Sequence, residues 1–292
     1  MKIFNKLVMV NIKSFFKRLI RISVRNEFIW KILNITILKI ANILQAEKKS
    51  ITNKNSGYID RRIFIEKLFP DLTVKHGIFM GMKYPDYKSI GSTLSPKLIG
   101  SYEKELADIM EEICKQQYSE IIIIGCAEGY YAVGLAMKIK SANVYAYDIN
   151  KEAINYCIQM AKINSVSNRV HVSDHFDQEE FKNIKITKRG FILCDCEGCE
   201  KDIFVNDVIP YLSKCDLLIE THDFIDLTIS GYLTKLFKKT HSLKVISSID
   251  DIKKAQTYNY KELEGYSLDE RKKILGEFRP SIMEWLYFKS IL

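Results

Sequence analysis

Residues 119–137 read SEIIIIGCAEGYYAVGLAM, and this stretch decides the fold. Four consecutive isoleucines end at Gly125, after which apolar residues recur at helical spacing. The pattern predicts a buried parallel strand, a tight turn and a helix. In an open α/β sheet, such a turn places helix amide groups and a glycine-lined hollow at the carboxyl edge of the strand. We therefore expect an adenosyl or nucleotide ligand to bind at this turn.

The next predicted strand, VYAYDIN at residues 144–150, contains an acidic residue, Asp148, at its end. An acidic side chain at this position can accept hydrogen bonds from the two hydroxyls of a ribose. The alternative is that Asp148 caps the following helix, although Asn150 could fill that role instead. We interpret the turn and Asp148 together as a cofactor site.

The chemistry of the turn favours S-adenosylmethionine over a nicotinamide dinucleotide. A dinucleotide site favours GxGxxG, whose middle glycine lets the backbone approach a pyrophosphate. Here Ala127 takes the middle place. S-adenosylmethionine has no pyrophosphate, and Glu128 could meet its cationic methionyl portion. The alternative is a plain helix-packing turn.

Asp174, after the third strand, could accept a hydrogen bond from an adenine amino group or be an ordinary turn residue.

From residue 119 onward, strands and helices alternate, which is typical of a parallel sheet with helices on both faces. We predict strands near residues 120–125, 143–148, 169–173, 190–195, 216–221, 243–248 and 283–289. Helices are expected near 129–140, 151–165, 177–184, 199–212 and 228–240. The polar stretch 251–278 between the last two strands is expected to be an insertion that covers the edge of the site.

Acidic residues and a histidine follow the fourth and fifth predicted strands. Asp195 and Glu197 end the fourth, while Glu220 and His222 end the fifth. Because these strands are neighbours in a doubly wound sheet, the side chains could converge at one edge. His222 is the preferred general base, since its ordinary pKa lies near neutrality. Two alternatives are a Mg²⁺ site at Asp195 and Glu220, and helix capping without chemistry.

The seven cysteines have scattered spacings that do not indicate a disulfide framework. Three of them fall in CDCEGC at residues 194–199, which lacks the spacing of a zinc site. Strand alternation is expected to place Cys194 and Cys196 on opposite faces of the sheet. A reducing cytoplasm is therefore the expected setting.

The positive charge of the chain lies in its first 46 residues, which hold nine Lys or Arg and one acid. Apolar residues recur there at helical spacing, so this basic amphipathic helix could lie on an anionic membrane surface or pack on the body or a second subunit. The remaining 35 basic and 35 acidic residues balance, which argues against a nucleic-acid partner. We expect an extension and linker at 1–57, lead-in helices and a hairpin at 58–118, and the main domain at 119–292.

The body from about Val74 onward resembles the FkbM-like class I S-adenosylmethionine-dependent methyltransferases. The shared features are the turn IIIIGCAEGYYAVGLA, the YDIN end of strand two, DCEGCE in place of D-x-E-G-x-E, and ETHD in place of E-x-H. The resemblance implies O-methylation of a hydroxyl, often on a sugar or polyketide. It also implies a seven-stranded sheet whose last strand is antiparallel.

We therefore expect an α/β protein with a doubly wound, mostly parallel seven-stranded sheet that methylates a small-molecule or glycan acceptor. The alternatives are an NAD-dependent oxidoreductase and a non-catalytic protein that binds the membrane surface. For residues 1–46, a peripheral contact at the inner face of the membrane and packing on the body or on a second subunit, as in a homodimer, stay open as alternatives. The residues expected to act in catalysis are Asp195, Glu197, Glu220 and His222. Those expected to bind the cofactor are Gly125, Cys126, Glu128, Gly129, Tyr131, Asp148, Ile149 and Asp174.

Overall fold

The computed structural model describes residues 61–292 and Leu44. The chain divides into two units, Met1–Ile59 and Asp60–Leu292, and the description below concerns the second. The basic amphipathic helix and linker expected at 1–57, with their membrane or subunit contacts, lie outside the described residues. Within the part that is described, no helix is both long and apolar enough to cross a bilayer.

Seven strands form one sheet in the order β3-β2-β1-β4-β5-β7-β6. Strands β1 to β5 pair in parallel, and β7 pairs antiparallel with both β5 and β6. This confirms the predicted doubly wound, mostly parallel fold with an antiparallel last strand. The strands are β1 (Glu120–Ile124), β2 (Asn143–Tyr147), β3 (Val170–Ser173), β4 (Gly190–Cys194), β5 (Cys215–Thr221), β6 (His241–Ser247) and β7 (Glu284–Ser290).

Helices precede the sheet, connect its strands and fill the insertion before β7. The α-helices are α1 (Arg61–Leu68), α2 (Leu94–Ile99), α3 (Ala107–Lys115), α4 (Tyr130–Lys138), α5 (Lys151–Ile163), α6 (Glu180–Asn183), α7 (Glu200–Ile203), α8 (Ile209–Leu212), α9 (Ile229–Phe237), α10 (Asp251–Thr257) and α11 (Leu268–Leu275). Short 3-10 helices cover Lys104–Leu106, Asn206–Val208 and Lys261–Leu263.

Strand β1 lies at the centre of two apolar cores, one on each face of the sheet. All five of its residues are buried. Ile121 and Ile123 belong to one core, while Ile122 and Ile124 belong to the other. Because successive side chains of a strand point to opposite faces, a strand covered on both sides needs a continuous apolar run. The isoleucine run is therefore the local cause of the layered architecture.

Three helical segments differ from the sequence prediction. The helix expected at 199–212 is broken into α7, a 3-10 turn and α8, because Val205 adopts an extended backbone conformation between them. The helix expected at 177–184 is limited to Glu180–Asn183. Helix α2 (Leu94–Ile99) lies where loops were expected; it ends at Gly100, whose positive φ of 85° is typical of a helix C-terminus.

Candidate active site

The turn after β1 lies in direct contact with the backbone at the end of β4. Gly125 has a φ of +80°, and a Cβ atom at this position would lie 1.7 Å from the backbone oxygen of Asp195. The Asp195 N–H in turn donates to the Ile124 carbonyl at 2.9 Å. A side chain at position 125 would therefore separate the β1 turn from the end of β4. Glycine at this position allows the hollow at the sheet edge to form.

Asp148, at the end of β2, is half-buried beside the turn. Its Oδ2 accepts a hydrogen bond from the Ala127 N–H and its Oδ1 accepts one from the Asn150 N–H, both at 2.8 Å. Asn150 caps α5 with its own side chain, as the sequence analysis considered. Each carboxylate oxygen of Asp148 can still accept a further bond. The backbone thus holds the carboxylate in one orientation without using all of its acceptor capacity.

Two adjacent cavities open at this edge of the sheet and share the lining residues Gly125, Asp148, Asp195 and Glu197. The larger has a volume of about 600 Å³ and also contacts the predicted residues Ile149 and Asp174. The smaller has a volume of about 350 Å³ and contacts Cys126, Tyr131, Glu220 and His222. Both volumes fall in the range typical of small-molecule sites.

Gly129 has a packing role rather than a place in either cavity lining. It precedes α4 with a φ of +99°, and a Cβ atom there would lie 2.8 Å from the Cys157 Sγ. Tyr131 lines the smaller cavity, but its hydroxyl donates to the buried carboxylate of Glu103. Gly129 lines neither of the two cavities, so its contact with the cofactor stays a prediction.

Glu128 does not face the cavities, which corrects the expected contact with a cationic methionyl group. Its side chain is fully buried and forms an ion pair with the Lys97 Nζ at 2.5 Å. The Ser89 hydroxyl donates to the same carboxylate at 2.8 Å, and the Ile90 N–H at 3.1 Å. Glu128 therefore links α2 and the loop at residues 89–92 to the turn after β1.

Replacing Lys97 with methionine should destabilise the protein by about 3–5 kcal/mol, because it leaves the Glu128 carboxylate buried without its cation. Urea unfolding followed by circular dichroism measures this change. The double variant Lys97→Met/Glu128→Gln is the matched control and should recover much of the loss. A single-variant change below about 1 kcal/mol would contradict this role for the pair.

His222, one residue beyond β5, is surrounded by carboxylates. Its Nδ1 lies 2.5 Å from the Glu200 Oε1, and its Nε2 lies 3.5 Å from both the Asp195 Oδ1 and the Glu197 Oε2. Glu220 is close as well, with its Oε2 at 3.9 Å from Nε2. The structure thus brings together all four residues expected to act in catalysis. Glu200, which the sequence analysis did not select, completes the cluster.

The carboxylates change the acid–base properties of this cluster. Burial acts to lower the pKa of His222, but the hydrogen bond with Glu200 and the charges of Asp195 and Glu197 outweigh it, so the pKa is raised. Burial raises the pKa of Asp195 and of Glu220, and for Glu220 the charge of Asp195 adds to the increase. An imidazole whose pKa lies near the working pH is suited to accept a proton from a substrate.

Arg279, in the loop before β7, was not anticipated from the sequence. Its guanidinium bonds Glu220 and Glu103, and its Nε donates to the Glu277 Oε2 at 3.0 Å. It also lines the smaller cavity. Burial raises the pKa of Glu103 to about 7, against the opposing effect of Arg279. The guanidinium fixes the Glu220 side chain and, with Lys97, supplies positive charge to a cavity rich in carboxylates.

The same residues fit poorly the Mg²⁺ site that the sequence analysis kept as an alternative. Asp195, Glu220 and His222 offer ligand atoms that lie within 4.8 Å of one another. However, Mg²⁺ prefers oxygen ligands in tight octahedral geometry, whereas one of these three is an imidazole. The Arg279 guanidinium already bonds one oxygen of Glu220. We therefore assign no metal to this cluster.

The cysteine prediction needs correction. Cys196 and Cys199 form a disulfide, although no disulfide was expected from the cysteine spacing. Strand β4 ends at Cys194, so Cys196 lies in the following loop and strand alternation does not place it. The disulfide closes the loop that carries Glu197, whose φ of +55° is in the left-handed region.

The chain matches no protein-family model and no curated protein sequence. Solved structures to which it is similar include a precorrin-6y C5,15-methyltransferase from Geobacter metallireducens, with 12% identity and a TM-score of 0.43 over 66% of this chain and 90% of that one. A second is a SAM-dependent methyltransferase from Geobacter sulfurreducens in complex with S-adenosyl-L-homocysteine, with 12% identity and a TM-score of 0.39 over 64% and 89%. A third is the METTL16 MTase domain, with 12% identity and a TM-score of 0.48 over 80% and 82%. Similarity at this level carries no argument about activity, which depends on the site described above.

Proposed function

We propose that this chain is an S-adenosylmethionine-dependent methyltransferase of the FkbM-like class, and that it methylates a hydroxyl of a sugar, glycan or other small natural product. The observation that carries the proposal is the position of Asp148. This carboxylate ends β2, is oriented by the Ala127 N–H at 2.8 Å, and borders both cavities. In an open α/β sheet, this is where a ribose-binding acid is placed.

The larger cavity suits the adenosine. Asp148 would accept bonds from the ribose hydroxyls, while Tyr147, Ile149 and Phe176 offer an apolar surface for the base. Asp174 borders the same cavity and can accept a bond from the adenine amino group. The methionyl portion would then extend past Gly125 into the smaller cavity. When bound, the cofactor supplies an activated methyl group on a sulfonium.

The smaller cavity suits the acceptor. His222 would take the proton of the acceptor hydroxyl at Nε2. The Asp195 Oδ1 is buried and has no hydrogen-bond partner among the described residues, so it can accept a bond from another hydroxyl. Glu197 and Arg279 line the same cavity and can orient a polyhydroxylated acceptor. The protein's main contribution is alignment of the reacting groups together with removal of one proton.

Two alternatives make different predictions about ligand binding. An NAD-dependent oxidoreductase would bind NAD, and a non-catalytic membrane-surface protein would bind neither ligand. Equilibrium dialysis of the full chain with labelled S-adenosylmethionine and labelled NAD distinguishes them. We expect retention of S-adenosylmethionine alone. Retention of NAD, or of neither compound, would overturn the proposal.

Removal of divalent metal ions should leave methyl transfer unchanged, because the donor set around Glu220 suits Mg²⁺ poorly. The measurement compares turnover of the full chain before and after dialysis against EDTA. Addition of Mg²⁺ to the dialysed protein is the control. A loss of activity that Mg²⁺ restores would contradict this account and would make Asp195 and Glu220 metal ligands instead.

A further inference from the structure

Of the four carboxylates around His222, that of Glu200 lies nearest to the imidazole, and it lies on the side of the ring away from the smaller cavity. It is the first residue of α7, and its side chain is fully buried. Its Oε1 lies 2.5 Å from the His222 Nδ1 and also accepts a bond from the Gly198 N–H at 3.3 Å. His222 itself is almost fully buried, with 2% of its side chain exposed. The pair is therefore shielded from water, which strengthens its electrostatic interaction.

This contact bears on which ring nitrogen carries the proton. An ionised carboxylate can accept hydrogen bonds but not donate them, so with Glu200 ionised Nδ1 is the donor. In the neutral ring the proton then lies on Nδ1, and the Nε2 lone pair is free. Nε2 is the nitrogen that lies 3.5 Å from Asp195 and Glu197, both of which line the smaller cavity. The basic nitrogen of that tautomer therefore faces the smaller cavity, which we propose holds the acceptor.

The contacts of the Glu200 side chain fit a role in holding His222 better than a role in stabilising the start of helix α7. Helix α7 has four residues, and its N-cap residue Cys199 makes no side-chain capping bond. The second oxygen of Glu200, Oε2, is buried and has no hydrogen-bond partner among the described residues. A buried carboxylate is costly unless it is paired, and here the side chain that pairs with it is His222.

We propose that Glu200 is a positioning residue that fixes the tautomer of His222 and stabilises its protonated form during the reaction. This rests on the proposed function. The acceptor oxygen forms its bond to the methyl carbon, the electrons of the broken carbon–sulfur bond return to sulfur, and the hydroxyl proton moves to Nε2. The resulting imidazolium then shares its Nδ1 proton with Glu200. No further reactant is needed.

Several charged groups act on His222 besides Glu200, so their effects must be separated. Asp195 and Glu197 approach from the loop after β4, and Glu220 approaches from β5 with Arg279 bonded to it. All three carboxylates are on the Nε2 side of the ring. Glu200 is the group on the Nδ1 side, so a change confined to position 200 tests the tautomer specifically.

Nitrogen NMR of ¹⁵N-histidine-labelled full-length protein tests this assignment without an acceptor. The chain has five histidines, and the His222 signals are those that disappear in His222→Gln. We expect wild-type His222 to hold its neutral-form proton on Nδ1, with a pKa above the ordinary value. In Glu200→Gln we expect a lower pKa and a mixture of tautomers, because the carboxylate that raises the pKa is gone.

Turnover gives the second measurement. We expect kcat of Glu200→Gln to fall about tenfold to a hundredfold, by comparison with the loss seen when hydrogen-bond partners of metal-ligating histidines are removed. Because the less basic imidazole loses its proton at lower pH, the acidic limb of the kcat profile should move to lower pH. KM and the affinity for S-adenosylmethionine should not change. Glu120→Gln, at a buried glutamate bonded to Thr187, is the matched control and should leave the His222 signals unchanged.

Three results would overturn the assignment. The first is a wild-type His222 with its neutral-form proton on Nε2, which needs no variant and so remains informative if Glu200→Gln does not fold. The second is an unchanged His222 pKa and tautomer in Glu200→Gln. The third is a change in KM with kcat unaffected. The proposed function fails separately, through loss of S-adenosylmethionine binding while the NMR result stands.

Discussion

Replacing Asp148 with alanine should weaken S-adenosylmethionine binding by about a hundredfold or more. The variant loses a carboxylate that would accept bonds from two ribose hydroxyls, each worth about 1.5–3 kcal/mol when the acceptor is charged. Since about 1.4 kcal/mol corresponds to a tenfold change in affinity, two such bonds account for this loss. The variant also releases the Ala127 N–H that Asp148 holds at 2.8 Å. Isothermal titration calorimetry of the wild type and the variant measures the difference.

The matched control is Asp174→Ala, at an exposed acid bordering the same cavity. It should weaken binding much less than Asp148→Ala, because an exposed hydrogen bond competes with water. Thermal unfolding of both variants checks that the fold is intact. An affinity of Asp148→Ala within about threefold of the wild type would remove Asp148 from the cofactor site.

Replacing His222 with glutamine should lower kcat by about 10² to 10⁴, the usual contribution of a general base. The affinity for S-adenosylmethionine should change little, since His222 does not line the larger cavity that would hold the adenosine. A base must be unprotonated to act, so wild-type kcat should rise with pH through the His222 pKa, which is raised above its ordinary value. In the variant that rise should be absent. Steady-state turnover across pH measures both effects.

His171→Gln is the control for this experiment, because His171 is exposed on β3, where it stacks on Tyr145 away from the cavities. Its kcat and pH profile should match those of the wild type. Full activity in His222→Gln would exclude His222 as the base and would direct attention to the neighbouring carboxylates.

The fold was largely predictable because its buried strands are visible in the sequence as runs of apolar residues. The predicted strands β1 and β2 end one residue later than the observed ends, Ile124 and Tyr147. The predicted β6 begins two residues after the observed start, His241. Buried strands of a parallel sheet need continuous apolar residues, so their positions are visible locally. The break inside the predicted helix 199–212 was not visible, since an extended residue such as Val205 leaves no signal in the apolar spacing.

The acidic edge of the site was also predictable, because the carboxyl ends of neighbouring parallel strands meet at one place. Asp195 and Glu220 come together for that reason. Arg279 was not predictable, since it bonds Glu103 across 176 residues of sequence and no local pattern reports such a pairing. Glu128 was expected to meet the cationic methionyl portion of the cofactor, whereas its side chain pairs with Lys97. Its direction depends on Lys97, a residue whose proximity only the folded chain establishes.

The most direct test of this account is a crystal structure of the full chain grown with S-adenosylhomocysteine. We predict electron density for the nucleoside in the larger cavity, with both ribose hydroxyls within hydrogen-bond distance of the Asp148 carboxylate. The sulfur should lie beyond Gly125, on the side of the smaller cavity that holds His222. Density for the nucleoside at another place, or an Asp148 carboxylate with no contact to the ribose, would contradict the central claim.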